Sequence, residues 1–225
     1  MKVKILKPSR QGEGTYCYIL AGANSEALAS KTEEITKNSD AYLNIVLIET
    51  DNWNHQLSPW EAPPVFGKEG FGGEGKETLR RILEEVIPSV EGPKYRENRR
   101  VIGGYSLAGL FSLWAFYETG IFEGAISCSG SLWFPGWDRY MQGRKSPEGG
   151  KVYLSLGTTE EKTKNQQMQK VGERTRRQLE MLKADSNIRE ATLEWNPGGH
   201  FNDADGRLIR GIRWMQDAMQ NKAVP

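Results

Sequence analysis

Residues 99–109 read RRVIGGYSLAG, and this stretch decides the fold that we expect. Arg99 to Tyr105 is a short apolar run that predicts a buried strand. Leu107 to Tyr117 follows and is apolar on nearly every side, which predicts a helix buried all round. Because Ser106 alone joins the two elements, the sequence predicts a sharp turn from strand to helix.

The same alternation of short apolar runs and longer helical stretches continues on both sides of this turn. We expect further strands at Thr15 to Ala21, Tyr42 to Glu49, Ala125 to Cys128, Val152 to Leu156 and Ala191 to Trp195. We expect helices at Ser25 to Thr36, Lys76 to Val90, Asn165 to Leu182 and Gly206 to Met219, with Pro88 stopping or bending the second. This order predicts an α/β fold with a mostly parallel sheet and helices on both faces.

The length, net charge and hydropathy of the chain indicate how many domains it forms and which partners we do not expect. We interpret residues 1–225 as one domain, since no linker or repeat divides the chain. The 30 Lys and Arg residues nearly balance the 29 Asp and Glu residues, so the net charge of +1 gives no reason to expect a nucleic-acid partner. No run approaches about 18 apolar residues, so we expect no membrane partner either.

Cysteine and histidine are scarce. Cys17 and Cys128 each stand in an apolar run, which predicts two buried thiols and, from their unpaired state, a reducing, cytoplasmic compartment. With two His and two isolated Cys, the sequence predicts no metal site. The oligomeric state cannot be predicted from these features.

The turn at Ser106 has the features of a nucleophile elbow. A serine held on such a turn needs small neighbours two residues to either side, and Gly104 and Ala108 supply them. The first amide of the helix, that of Leu107, would face a group bonded to Ser106 and stabilise an oxyanion there. The alternative is a glycine-rich turn with an incidental serine.

A nucleophilic serine needs a base, which is nearly always histidine. His55 precedes Ser106, and His200 follows a strand and the pair Gly198 and Gly199. On this architecture the order along the chain is serine, acid, histidine, which selects His200. We expect His55 to line a pocket or lie at the surface. The alternative for His200 is a loop residue that caps the last helix.

The acid should lie at a strand end between Ser106 and His200. Only the stretch LSLGTTEE, residues 154–161, leaves a strand with acidic residues. Glu160 or Glu161 could therefore orient His200, and we favour Glu160 because it lies nearer the strand end. Alternatively, both are solvated acids in the first turn of a helix.

Aromatic residues are concentrated in two irregular stretches that follow predicted strands, where open α/β sheets bind ligands. The predicted substrate-binding residues are Trp53, Asn54, Trp60, Trp133, Phe134 and Trp137. They would suit an acyl or aryl group, or the face of a sugar ring. Alternatively, they form a hydrophobic cluster that covers the core.

With these residues located, the chain resembles the α/β-hydrolases, and within them the family of enterochelin (siderophore) esterases, esterase D, and feruloyl and acetyl-xylan esterases. The matching segments are GGYSLAGLFSLWA around Ser106, SCSGSLWFPGW after the next strand, SLGTTE at the acid and NPGGHF at His200. The resemblance covers nearly the whole chain. It implies a compact α/β-hydrolase fold without a large cap domain.

The resemblance also assigns roles. In the family the acid commonly stands three residues after the glycine that ends its strand, which here is Glu160. The second oxyanion donor is expected after the strand at residues 15–21, where Ala23 offers a backbone amide. The chain departs from the family in having Ala108 where glycine is common, and in reducing the usual extra N-terminal strands to Lys2 to Lys7.

The sequence thus predicts a serine carboxylic-ester hydrolase that forms an acyl-enzyme on Ser106, without a cofactor. Its expected partner is a small-molecule ester of acyl, sugar-ester or siderophore type. Two alternatives stay open. The same triad would serve an acyltransferase or a peptidase, and the fold could also serve as a ligand-binding module without catalysis.

Overall fold

A computed structural model describes residues 1–6, 14–23, 25–38 and 43–220. In chain order its strands are β1 (Lys2–Leu6), β2 (Thr15–Gly22), β3 (Leu43–Thr50), β4 (Glu61–Ala62), β5 (Phe71–Gly72), β6 (Arg99–Tyr105), β7 (Gly124–Cys128), β8 (Gly150–Gly157) and β9 (Ile188–Asn196). Seven strands form one sheet in the order β1-β3-β2-β6-β7-β8-β9, while β4 and β5 form a separate pair. Only β1 runs antiparallel to its neighbour in the large sheet, so the predicted parallel sheet is confirmed.

Helices cover both faces of this sheet. They are α1 (Glu26–Asn38), α2 (Trp53–Gln56), α3 (Gly75–Arg81), α4 (Ile87–Glu91), α5 (Leu107–Glu118), α6 (Trp137–Met141), α7 (Val171–Ala184) and α8 (Ala204–Gln220). Helices α1 and α8 pack in one apolar cluster with one face of the sheet, and α3, α4, α5 and α7 pack in a second cluster with the other. Within the described ranges, no helix has a stretch long and apolar enough to cross a bilayer.

Two helices differ from the sequence prediction, and each difference has a local cause. Pro88 lies in the first turn of α4, and a π-helical segment at Ile82–Val86 precedes it, so the helical path continues to Glu91 instead of stopping. Helix α7 begins at Val171 rather than Asn165. The Asn165 side chain accepts hydrogen bonds from the amides of Gln167 and Met168, which forms a turn ahead of the helix.

The two cysteines are buried and unpaired. Cys17 lies in β2 and Cys128 in β7, with β6 between them. Two strand spacings amount to about 9–10 Å, which exceeds the span of about 7 Å that a disulfide can bridge. Burial raises the pKa of both thiols, that of Cys128 to about 12. The predicted burial is confirmed, and each thiol stays protonated at neutral pH.

The junction between β6 and α5 is packed too tightly for a larger residue at position 104. A β-carbon added to Gly104 would lie 2.5 Å from the Ala108 side chain and 2.8 Å from its backbone carbonyl carbon. The first turn of α5 can therefore approach β6 only because residue 104 has no side chain. This close approach fixes where the turn residue Ser106 lies.

Substitution of Gly104 is therefore expected to destabilise the protein. Gly104→Ala should lower the free energy of unfolding by about 1–3 kcal/mol, since the added methyl group forces α5 away from the sheet. Gly120→Ala is the matched control, because a β-carbon there meets no atom within 4 Å, and it should change stability by less than about 0.5 kcal/mol. Urea unfolding of the three proteins measures both values, and equal stability of the two variants would contradict the packing argument.

The buried thiols give a second prediction. Because both are buried and their pKa values are raised, a chromogenic disulfide reagent at neutral pH should label neither in the native protein and both after unfolding in denaturant. Rapid labelling of either thiol in the native protein would contradict this description of the core.

Candidate active site

Four polar residues gather at one edge of the sheet because each follows the carboxyl end of a parallel strand. Ser106 follows β6, Ser129 follows β7, Glu160 lies three residues after β8, and His200 lies four residues after β9. The carboxyl ends of neighbouring parallel strands face the same side, so residues far apart in sequence meet here. Three of the four are residues that the sequence predicts as a triad.

Ser106 has a backbone conformation that residues other than glycine rarely adopt, with φ 60° and ψ −122°. Hydrogen bonds on both sides hold it there: its N–H donates to the Cys128 carbonyl at 2.9 Å, and its own carbonyl accepts from the Ser131 amide at 3.0 Å. A strained residue that is held in this way indicates a functional constraint. The predicted sharp turn is present.

His200 joins Ser106 to Glu160. Its Nε2 lies 3.0 Å from Ser106 Oγ, and its Nδ1 lies 2.8 Å from Glu160 Oε2. An ionised carboxylate can only accept, so Nδ1 must carry the proton and Nε2 must accept from the serine hydroxyl. In this tautomer the imidazole can remove the proton from Ser106.

The Glu160 carboxylate is buried, and hydrogen bonds hold it in its charged form. Its Oε1 accepts from the Gly157 amide at 2.7 Å, from Ser129 Oγ at 2.8 Å and from Arg207 Nη1 at 2.8 Å. Burial raises the pKa of this carboxyl, but the bonds from His200, Ser129 and Gly157 outweigh burial and leave the pKa below its ordinary value. Glu160 therefore remains ionised at neutral pH.

Glu161, the alternative acid, does not contact His200. Its carboxylate lies 2.8 Å from Arg176 Nη2, in a partly exposed ion pair at the start of the segment that leads to α7. Of the two neighbouring acids, the structure thus brings only Glu160 to the serine and the histidine.

Sequence reasoning missed Arg207, which extends from α8 and contacts Glu160, the acid of the predicted triad. Its position carried a signal, because residues 207, 211, 215 and 218 follow a helical period and the other three are small or apolar. An arginine on a buried stripe needs an acidic or carbonyl partner inside the protein, since a buried charge is costly when unpaired. Sequence alone could not name that partner.

The two predicted oxyanion donors lie near the turn. Leu107 is the first residue of α5, where backbone amides have no partner within the helix. Ala23 is exposed directly after β2, the strand that neighbours β6. Ala23 also lines a cavity of about 220 Å³ with Trp53 and Tyr105, so this cavity extends to the residue preceding Ser106.

A second cavity, of about 270 Å³, includes His200 and Glu160 in its lining. Trp133, Met168 and Phe201 supply its apolar walls, and the Phe201 side chain is 94 % exposed. An aromatic residue this exposed beside the histidine was not singled out from the sequence. Trp53 and Trp133 are thus the two predicted aromatic residues that line cavities next to the Ser106–His200 pair.

The other predicted substrate-binding residues lie elsewhere. Phe134 and Trp137 are 0 % and 2 % exposed, so they pack in the core beneath the loop instead of lining a pocket, which corrects the sequence expectation. Trp60 donates from Nε1 to the Pro135 carbonyl at 2.7 Å and thereby ties two loops together. Asn54 Nδ2 donates to Glu69 at 3.3 Å, in an exposed contact.

His55 lies away from Ser106, Glu160 and His200, the three residues of the predicted triad. It contacts Glu74 at 3.5 Å and Glu69 at 3.9 Å, and it lines a separate cavity of about 630 Å³ beside strands β4 and β5. Among the described residues, no group of three or more His, Cys, Asp or Glu side chains is arranged to hold a metal ion.

Known structures share this fold. The siderophore hydrolase EstA from Aspergillus nidulans is 20 % identical, with a TM-score of 0.71, over 93 % of this chain and 84 % of that one. An IroE-like serine hydrolase from Shewanella oneidensis gives 18 % identity and a TM-score of 0.79, over 96 % and 75 % of the two chains. Acyl-protein thioesterase 2 from Zea mays is 12 % identical, with a TM-score of 0.62, over 97 % of this chain and 99 % of that one.

These likenesses establish the α/β-hydrolase fold. No curated protein sequence matches the chain. Residues 1–204 do match a family model, described as putative esterase, which spans most of the chain and all three residues of the Ser106–His200–Glu160 chain. The protein therefore belongs to the putative esterase family and is an enzyme that hydrolyses esters.

Proposed function

We propose that the protein is a serine carboxylic-ester hydrolase that works through an acyl-enzyme on Ser106, with His200 as base and Glu160 as the acid that orients it. The observation that carries this proposal is the continuous chain of hydrogen bonds, 3.0 Å from Ser106 to His200 and 2.8 Å from His200 to Glu160. Serine hydroxyls are weak nucleophiles, and a base placed in this way is what activates them.

In the first half of the reaction, His200 Nε2 takes the proton of Ser106 while Oγ attacks the ester carbonyl carbon. The carbonyl oxygen becomes an oxyanion, which the amides of Leu107 and Ala23 stabilise. His200 then gives its proton to the departing alkoxide oxygen as the carbon–oxygen bond breaks. Glu160 stabilises the positive imidazolium that exists between these two proton transfers.

In the second half, a water molecule replaces the alcohol. His200 removes a proton from this water, whose oxygen attacks the acyl carbon of the acyl-enzyme. The second tetrahedral intermediate collapses, the bond to Ser106 Oγ breaks, and Oγ takes back a proton from His200. Side chains and backbone amides supply every group in this cycle, so the proposal includes no cofactor.

The two cavities next to Ser106 and His200 supply a binding surface for the ester. Because His200 must protonate the leaving alcohol, we assign the alcohol portion to the 270 Å³ cavity lined by Trp133, Met168 and Phe201. Its apolar and aromatic walls favour an alcohol with a ring or an aliphatic body. Simple acyl esters, sugar esters and siderophore esters can all carry an alcohol of this kind.

The cytoplasmic location stays a prediction of the sequence.

Removing a triad residue tests the proposal directly. Ser106→Ala and His200→Ala are each expected to leave about 10⁻³ to 10⁻⁶ of the wild-type kcat on p-nitrophenyl esters of short and medium acyl length. An organophosphonate should label the wild-type protein once, at Ser106, and leave Ser106→Ala unlabelled. His55→Ala is the control, since His55 lies in a separate cavity, and it should retain near wild-type activity.

Four results would contradict this proposal. Turnover that survives Ser106→Ala would mean that the nucleophile is another residue. Acyl transfer to an added alcohol or amine in preference to water would favour an acyltransferase, and cleavage of amides at comparable rates would favour a peptidase. No turnover of any ester and no labelling of Ser106 would favour a ligand-binding module.

The two neighbouring acids give a matched pair. Glu160→Gln is expected to lower kcat about 10²- to 10⁴-fold, because a neutral amide neither fixes the His200 tautomer nor stabilises its imidazolium. Glu161→Gln removes the same charge one residue away, in the partly exposed ion pair with Arg176, and should stay within about twofold of wild type. Steady-state kinetics on one ester measures both, and equal losses would contradict the assignment of Glu160.

A further inference from the structure

Arg207, on α8, is a buried arginine that contacts both Glu160 and the loop that carries His200. Its side chain is completely buried, at 0 % exposure, although it carries a permanent positive charge. Nη1 lies 2.8 Å from Glu160 Oε1 and 2.9 Å from Ser129 Oγ. Nη2 lies 2.9 Å from the Gly199 carbonyl and 3.2 Å from the Pro197 carbonyl. One guanidinium thus binds both the acid and the loop that carries His200.

Two hydroxyl groups extend these contacts, and the direction of each hydrogen bond is fixed. A guanidinium only donates, while carboxylate and carbonyl oxygens only accept. Ser129 therefore accepts from Arg207 and donates to Glu160 at 2.8 Å. Tyr105 likewise accepts from Arg207 at 3.2 Å and donates to the His200 carbonyl at 2.5 Å. Arg207 therefore contacts Glu160 directly, and through Tyr105 it is linked to the backbone carbonyl of His200.

The charge of Arg207 also acts on the proton that the pair handles. A fixed positive charge 2.8 Å from Glu160 Oε1 disfavours the addition of a further positive charge, such as a proton, to the same buried region. The expected effect of Arg207 is therefore to oppose protonation of the buried pair as the pH falls. His200 Nε2 must be unprotonated to accept the proton of Ser106, so an extra proton on the pair would prevent activation of the serine.

Other titratable groups around the pair do not duplicate this effect. They are Tyr105, Cys128, Glu161, Lys162, Glu194, Asp203, Asp205 and Arg210. Burial raises the pKa of Tyr105 and Cys128, so both stay neutral in the working range. The four acids in this set pair with Arg176, Lys31 or Arg210, and Lys162 is exposed on the rim of the cavity. Arg207 is the fully buried charge that contacts the carboxylate.

We propose that Arg207 is a positioning residue of the esterase: it locks Glu160 and the His200 loop into one unit, and its charge extends activity to lower pH. This inference rests on the proposed Ser106–His200–Glu160 mechanism. It goes beyond that mechanism because it assigns the lower pH limit of activity to a residue of α8 that touches neither the substrate nor the reacting atoms.

The test compares two buried arginines. Arg207→Met removes the charge and keeps an apolar side chain of similar length in the space. Arg100→Met is the matched control, since Arg100 is also buried and binds the buried carboxylate of Glu91 at 2.7 and 2.8 Å, at the opposite end of β6. Both variants should lower the melting temperature, because each leaves a buried carboxylate without its arginine.

Only Arg207→Met should change the pH profile. We expect the acid-side midpoint of its kcat/KM profile to move up by about one pH unit, since loss of a nearby positive charge makes the pair hold a proton more tightly. The midpoint of Arg100→Met should match that of the wild type. If Ser106→Ala is inactive and the acid-side midpoint of Arg207→Met equals that of the wild type, the inference about Arg207 is overturned. The proposed triad then still stands. Activity in Ser106→Ala would instead overturn the proposed function.

Arg207→Lys separates charge from geometry and serves if Arg207→Met does not fold. A lysine keeps the charge, so the acid-side midpoint should stay near the wild-type value. One ammonium group cannot reach Glu160 and both loop carbonyls in the fork geometry of a guanidinium, so kcat should fall about tenfold. A wild-type kcat would overturn the locking role, and a midpoint that moves as far as in the neutral variant would overturn the charge role.

Discussion

The tight approach of α5 to β6 is the constraint on which the rest of the site depends. It requires glycine at position 104, and it holds Ser106 at a positive φ between two backbone hydrogen bonds. The turn aims the serine side chain out of the sheet and leaves the first amides of α5 without intrahelical partners. The residues that we propose as nucleophile and oxyanion donor are therefore placed by one backbone geometry, which the apolar core around α5 holds in place.

Local pattern was enough to predict most of the fold. Strands such as Thr15–Gly22 and Arg99–Tyr105 are apolar runs between glycines or charges, and the alternation with helices required a parallel sheet. The errors arose where side chains act on the backbone at short range. Asn165 replaced a helical turn with its own hydrogen bonds, and a π-helical turn ahead of Pro88 let the helical path continue.

The three residues of the predicted triad could be chosen from the sequence because this architecture fixes their order along the chain. The geometry brings Ser106, Glu160 and His200 together in the order that this architecture dictates. Access to a cavity was not predictable in the same way: the neighbours Trp133 and Phe134 are both buried in one apolar cluster, yet of the two it is Trp133 that also lines the cavity beside His200. Arg207 was missed because its partners come from four separate segments of the chain, three of them distant in sequence, and a helical period indicates only that a residue is buried.

The position of Arg207 in the sequence affects the order in which the site forms as the chain is synthesised and folds. Glu160, His200 and their arginine arrive late in the chain, and β9 pairs only with β8 at the edge of the sheet. During synthesis from the N-terminus, Ser106 leaves the ribosome before Glu160, before the proposed base His200 and before Arg207. On the proposed mechanism, the Ser106 hydroxyl stays unactivated until the segment that carries His200 has folded and α8 has docked. On that mechanism, the folding of β9 and α8 is the step that activates the serine.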